Sequence, residues 1–411
     1  MNEIVIIQEK NKFKDNAVGV TIPLSLDETI TDYNLISQIL KLGCEKYKTS
    51  KEIWTHLQDL YGAAFEILVS KIGEKLVICF YIQFIENKYA LFGEDVLKEA
   101  VKFLNEIINK PLIVNNRFRE GYFNTEKENL EVLIKSRVDD KDEYAVDRAI
   151  ELCCEGEPYA LFRHGDLERL RLIKNEELWQ LWQKTLKHNS KTFYLCGNFE
   201  TAYSKKLIDT YFNEANYIIE KNSSTNKVHG KITSKEVIEQ SRVNQGKLCM
   251  CYRTNGNIVD GSFPALAILN SLIGGGMHSK LFREVREKNG LAYYCYSFID
   301  KFKGLLVISA GIDFNNYSKA KDIIFKQIHN IKVGKISKEE FNSSKNNVIS
   351  GLEKIQDSQF MLINHLFSLK TYGINISLEE MIQMINKVSL DQVVNAAAKL
   401  ELNIIYFLRN E

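Results

Sequence analysis

Residues 50–84 read SKEIWTHLQDLYGAAFEILVSKIGEKLVICFYIQF, and residues 279–313 read SKLFREVREKNGLAYYCYSFIDKFKGLLVISAGID. Each stretch runs from a short helical pattern closed by Gly through a strand, a Gly-containing turn and a second strand. The opening Ser lies 12 residues before its Gly in the first copy (Ser50 to Gly62) and 11 in the second (Ser279 to Gly290). Thr49-Ser50-Lys51-Glu52 has the form of a capping box, which places a helix start there. A recurring unit of this kind points to duplication of a larger frame around it.

The frame is present. Strand-like runs Glu3–Gln8 and Ala17–Leu24 and a helical stretch from Thr31 to Gly43 precede the first copy. Helical patterns over Glu94–Asn109, Asn124–Val138, Tyr144–Cys154 and Asn175–Lys187 follow it. Both halves end in an amphipathic helix and an apolar strand, LWQLWQKTLKHNSKTFYLCGN and LDQVVNAAAKLELNIIYFLRN. Between the halves, around Asn222–Gly230, periodicity disappears and polar residues dominate. The expected organisation is therefore two tandem duplicated α+β domains, 1–220 and 233–411, joined by a linker at 221–232.

Composition bounds the function. A chain of 411 residues with 45% apolar and 26% charged content builds full-sized cores without staples. A net charge of +1 gives no bulk attraction to nucleic acid or anionic membrane, so neither is expected as a partner. The longest apolar run, near Leu76–Phe84, is far short of the roughly 20 residues of a membrane span. The N-terminal stretch lacks a basic n-region and a sustained h-region, so no secretory signal is expected. The eight cysteines form no CxxC, and reduced thiols in a cytoplasmic protein are the expectation.

The seven histidines are spread so that the closest pair is 24 residues apart (His164 and His188), which removes HExxH, HxxEH and HxxxH together. Gly274-Gly275-Gly276-Met277-His278-Ser279-Lys280 is not a phosphate loop, because Ser279 stands where Walker A needs Gly. Its glycines serve either a flexible loop or close packing, and the pattern alone leaves both open. In Leu281–Ser297, Leu281, Phe282 and Val285 form an apolar stripe with charged neighbours facing out. The following strand is expected to set Tyr293 with Cys295 on one face and Tyr294 with Tyr296 on the other. Arg286 in the last helical turn and Tyr293 at the strand start are a candidate pair of donors to a peptide carbonyl. The ordinary alternatives are a cation at a helix C-terminus and a packed aromatic.

The stretch Leu272 to Tyr293, LIGGGMHSKLFREVREKNGLAY, resembles the second-domain signature of the M16 peptidase family, the insulinase, pitrilysin and mitochondrial-processing-peptidase group. The resemblance implies two LuxS/MPP-like domains, each an antiparallel sheet with helices on one side. Pairs of such chains close as a clam around unfolded peptide. It also implies that Arg286 and Tyr293, with Gly274, Gly275 and Gly276, contact substrate. In active members the first-domain helix carries HxxEH about nine residues before a Gly. Counting back from Gly43 puts Asn34, Ser37 and Gln38 at those positions, and a third ligand would fall within Asn124–Lys135. Amide and hydroxyl side chains are poor zinc ligands and Ser37 cannot act as the general base, so no metal and no cofactor is expected.

The Ile150–Leu161 stretch and the Lys46–Ala63 region are similar to a bacterial subgroup, the YfmF type, named for association with EF-P 5-aminopentanol modification. The implied role is an inactive subunit paired with an HxxEH-bearing zinc M16 chain, as a heterodimer, or with itself as a homodimer. The alternative is a non-proteolytic peptide-binding or scaffold protein.

Overall fold

A computed structural model describes residues 3–9, 12–212 and 234–410; the expected linker at 221–232 lies outside the described residues. Along the chain run β1 (Glu3–Gln8), β2 (Asp15–Ser25), α1 (Ile30–Leu40), α2 (Ser50–Asp59), β3 (Ala64–Ile72), β4 (Lys75–Ile85) and α3 (Val96–Asn109). A small ribbon, β5 (Ile113–Val114) and β6 (Arg117–Phe118), leads to α4 (Glu120–Lys135), α5 (Lys141–Cys153), α6 (Leu167–Leu172), α7 (Asn175–His188), β7 (Thr192–Gly197) and α8 (Thr201–Tyr211). The second half contains β8 (Lys235–Gln240), β9 (Gly246–Arg253), α9 (Phe263–Gly274), β10 (Ala292–Asp300), β11 (Leu305–Ile312), α10 (Tyr317–Lys332) and α11 (Lys338–Glu353). It finishes with α12 (Gln359–Lys370), α13 (Leu378–Lys387), α14 (Leu390–Ala398) and β12 (Glu401–Arg409).

The two large sheets have one topology. Strand order is β1-β7-β2-β4-β3 in the first and β8-β12-β9-β11-β10 in the second, five strands each. In both, the first strand pairs parallel with the last, and the remaining neighbours are antiparallel. The repeated stretches at Ser50 and Ser279 supply the same parts of the two sheets, β3–β4 and β10–β11. Thr49 does cap α2, its hydroxyl accepting the Glu52 N–H at 3.2 Å, but the Glu52 carboxylate accepts from Lys48 N–H rather than closing on Thr49.

The chain packs as two compact units that are not contiguous in sequence. The first takes the segments up to Lys135 and from Arg163 to the middle of the chain, and adds Gln356–Gly373. The second takes Ser136–Phe162 with the second half, apart from Gln356–Gly373. Each sheet is thereby covered on both faces rather than on one side. In the first unit, Phe80 meets Trp182 of α7 at 6.2 Å, whereas Tyr81, one residue on, meets Phe360 of α12 edge-on at 5.2 Å. A Cβ on Gly19, which pairs with Tyr81, would stand 2.9 Å from Ile363, so the glycine lets α12 lie close on β2. Gln359 holds the start of α12, its amide donating to the carbonyls of Asp15 (2.8 Å) and Cys196 (2.6 Å).

In the second unit, Leu248, Met250, Ile308 and Ala310 pack with α9, α10 and α14 into one apolar cluster. The other sheet face takes α5. At that join the buried Arg253 guanidinium donates to the Cys153 carbonyl at 2.5 Å and pairs with Glu157, which also holds Lys303. Burial by itself would raise the Glu157 carboxyl, but Lys303 and Arg253 outweigh it and hold the group below its ordinary value. All eight cysteines are buried and unpaired, and no helix among the described residues is long and apolar enough to cross a membrane.

Replacing Glu157 by Gln leaves two buried cations without their carboxylate and is expected to cost about 3–5 kcal/mol in chemical denaturation. Because this carboxyl titrates lower folded than unfolded, its contribution is full above about pH 4.3 and fades as pH falls through the folded value. Glu157→Gln should therefore narrow its gap to the parent protein in acid, which melts recorded across that range will check.

Candidate functional site

The expected donor pair sits where a short helical turn gives way to β10. Phe282–Glu287 is a π-helical turn, with the Lys288 N–H donating to the Arg283 carbonyl at 2.9 Å, five residues back. It ends in an αL motif: Gly290 (φ 59°) donates to the Arg286 carbonyl at 3.1 Å, four residues back, and Leu291 donates to the Val285 carbonyl at 2.9 Å. Leu281 and Val285 are buried, and Phe282 is half-buried. Arg286 faces solvent with its guanidinium 5.1 Å from the Phe282 ring.

Tyr293 does not share the face of Cys295. The pairing of β10 with β11 shifts between Ala292 and Tyr294, so Tyr293 is the extra residue of a bulge. Cys295 turns into the core, Tyr294 turns to the α5 side and donates to Asp142 at 2.7 Å, and Tyr293 stands 70% exposed. Among the described residues, Arg286 and Tyr293 share no hydrogen bond or ring contact. Each is presented outward, with no hydrogen-bond partner for its polar end among the described residues.

The glycine loop is anchored rather than free. Gly274 is the last residue of α9, and a Cβ there would lie 2.4 Å from the Ser297 main-chain nitrogen, so it serves close packing on β10. Gly275 is confined in the same way by the Ser271 main chain (2.6 Å), Gly276 is bounded more loosely by the His278 ring (3.2 Å), and none of the three has a positive φ. His278 Nε2 lies 3.0 Å from Ser271 Oγ, and the Asn347 amide donates to both Ser271 Oγ (3.1 Å) and the Gly275 carbonyl (3.3 Å). Burial, then the nearby Arg283 charge, keeps the His278 imidazole easier to deprotonate than usual. Lys280 pairs with Glu340 of α11 at 2.8 Å. Met277 alone among these residues projects freely, at 77% exposure.

At the positions implied for metal ligands, α1 is occupied by the protein itself. The Asn34 amide donates to the carbonyls of Ile30 (2.8 Å) and Arg163 (2.9 Å), and the Ser37 hydroxyl donates to the Asn34 carbonyl at 2.7 Å. Gln38 is half-buried. The segment from Arg163 to Arg169 clamps the same helix at two further points. Asp166 N–H donates to Thr31 Oγ1 at 3.0 Å, and Arg169 forks onto the buried Asp32 carboxylate at 2.8 and 2.7 Å. Gly165 (φ 91°) passes so close that a Cβ would lie 2.3 Å from Thr31 Oγ1. Within Asn124–Lys135 the buried carboxylate is Glu126, which accepts from Asn129 at 3.2 Å. No group of three His, Cys, Asp or Glu that could hold a metal occurs among the described residues. Two amide side chains and a hydroxyl do not fit a zinc ion, and Asn34 and Ser37 are already engaged in main-chain bonds.

Two sheets of one topology, with Asn34, Ser37 and Gln38 on α1 where the resemblance implies zinc ligands, define a protein of peptidase-like fold that lacks the helical zinc motif. Residues 173–348 match the family described as "Peptidase M16 inactive domain". The "Probable inactive metalloprotease YmfF" of Bacillus subtilis (strain 168) is 30% identical over 98% of this chain and 95% of its own length. The "Uncharacterized zinc protease YmxG" of the same organism is 22% identical over 97% and 94%. A solved structure, "Crystal structure of a conserved protein from Enterococcus faecalis V583", superposes with a TM-score of 0.90 at 29% identity, covering 99% of this chain and 96% of that one. The chain belongs to the M16 peptidase family and is an inactive, YmfF-like member, the spelling of the subgroup being YmfF rather than YfmF.

Asn34→Ala removes the amide that holds Ile30 and Arg163 carbonyls and is expected to lower stability by about 1–3 kcal/mol. Gly165→Ala meets both a clash and an unfavourable φ, and should cost more than an alanine placed at exposed Gly121. Urea melts of the three variants will rank them; equal values for Gly165→Ala and Gly121→Ala would contradict the clamp.

Proposed function

We propose that this chain is the non-catalytic subunit of a zinc peptidase, paired with an HxxEH-bearing M16 chain that supplies metal, water and general base. The observation that carries the reading is the contrast between the two halves. Asn34 and Ser37 on α1 are closed by internal hydrogen bonds, while Arg286 and Tyr293 stand exposed with no hydrogen-bond partner among the described residues. A chain that keeps peptide-facing groups but not the metal ligands suits a subunit that orients substrate for a partner's chemistry.

In this reading the Arg286 guanidinium and the Tyr293 hydroxyl donate to a substrate carbonyl, and to the oxyanion as it forms, so their contribution is greatest in the transition state. The bulge at Tyr293 and the left-handed stop at Gly290 fix where each side chain departs. The Gly275–Gly276 turn and Met277 extend the same surface, Met277 offering an adaptable apolar contact for varied side chains. The substrate is unfolded peptide, held largely through its main chain along a sheet edge, and the assembly works in the cytoplasm.

Purified alone, the chain is expected to hold no stoichiometric zinc and to cleave no peptide. Co-purified with an HxxEH-bearing M16 partner, it should form a complex with peptidase activity. Arg286→Ala or Tyr293→Phe should then lower kcat/KM by about tenfold or more, about 1.4 kcal/mol each, with zinc content unchanged. Unchanged turnover in both variants would remove the pair from substrate binding. A homodimer that captures peptide and never a zinc chain would favour a scaffold.

A further inference from the structure

In the second unit a half-open cleft of about 440 Å³ lies between the Thr254–Ser262 loop, the first turn of α9, and helices α13 and α14. That volume falls within the roughly 300–1,000 Å³ usual for small-molecule sites. Its floor is apolar, formed by Pro264, Leu266, Met384, Val388 and Ala396. Its polar lining is uneven. Asn255 and Thr254 are spent on internal bonds, to the Lys399 carbonyl at 3.0 Å and the Gly256 carbonyl at 2.5 Å. Gln392 is spent on capping Ser389. Lys387 and Lys399 also line it, both are exposed, and neither ammonium has a carboxylate or hydrogen-bond partner among the described residues. No Asp or Glu lines the cleft. The nearest loop carboxylate, Asp260, is turned inward onto the Asn257 N–H and the Ser262 hydroxyl.

We propose that this cleft binds an amphipathic carboxylate, its apolar body on the Leu266–Val388 floor and its single anionic end between Lys387 and Lys399. Two unpaired ammonium groups beside an apolar floor complement one anionic head on an apolar body. A dianionic phosphate fits less well: the lining lacks the planar Arg fork that suits it, and a strongly hydrated group loses most by entering an apolar cleft. The same head-and-body chemistry is offered by a free medium-chain carboxylic acid and by the C-terminal residue of an apolar peptide. The site is separate from the Arg286–Tyr293 face. The floor meets the first turn of α9 and the glycine loop follows its last residue, so at 1.5 Å per residue the 12-residue helix sets them about 18 Å apart. The inference does not depend on the pairing proposed above.

Titrating the full chain with octanoate, followed by ligand-observed NMR and calorimetry, is expected to show one saturable site. Octylamine and octanol should bind at least tenfold more weakly. Lys387→Glu with Lys399→Glu, a surface pair, should weaken octanoate at least tenfold while leaving the melt unchanged, with the difference shrinking in high salt. Ala396→Phe, which fills the floor, should abolish binding. A peptide ending in Val-Leu, compared free and amidated at its C-terminus, separates the sources: binding of the free form alone points to a peptide terminus, and binding of octanoate alone to a free acid. Failure of every carboxylate probe, equal binding of octanoate and octylamine, or indifference to the double lysine variant would overturn the assignment.

Discussion

Gln359 stands at the start of a helix that the chain makes late, yet its amide bonds to carbonyls of β2 and β7 in the first unit. That reach, and its counterpart in which Arg253 grips the end of α5, is the constraint on which the rest of the fold depends. A mixed sheet whose central strands are apolar on both faces needs a cover on each side. In each unit one cover comes from the unit's own half and the other from the opposite half. β4 and β11 can therefore be apolar almost throughout, which a one-sided antiparallel sheet would not allow.

The candidate site follows from that rigidity. Tyr293 is displayed by a bulge on a strand whose other residues are locked, Cys295 in the core and Tyr294 against Asp142. Arg286 is displayed by a turn wound one residue wide and stopped by a left-handed glycine. On α1 the same tightness works against chemistry: the Arg163–Arg169 segment takes up Asn34, at one position where a ligand would stand, together with its neighbours Thr31 and Asp32.

Much of this was legible in the sequence. The repeated helix–Gly–strand–turn–strand stretch maps onto corresponding strands of two sheets with one topology, and the spacing of seven histidines rules out a helical zinc motif. What the sequence could not show has physical causes. Burial of both sheet faces is visible as long apolar runs, but those runs do not say which helix supplies the second cover. The extra residue at Tyr293 inverts the face expected from simple alternation, because a bulge leaves no mark on apolar periodicity. The role of Gly274 depends on how near Ser297 comes, a distance no local pattern encodes. The clamp on Asn34 uses a main-chain acceptor 129 residues away, and the lysines of the apolar cleft come from the ends of two different helices, Lys387 closing α13 and Lys399 just beyond α14.

The interleaved order also has a consequence in time. A ribosome adding about 5–20 residues per second completes the first sheet when β7 emerges, but α12 follows more than 160 residues later, since Cys196 and Gln359 are 163 apart. For roughly ten to thirty seconds at that pace, the nascent chain carries a finished apolar surface with nothing of its own to lay over it. That interval exposes it to holding factors and to mispairing with neighbouring nascent chains, so the rate of synthesis is part of what this architecture must survive.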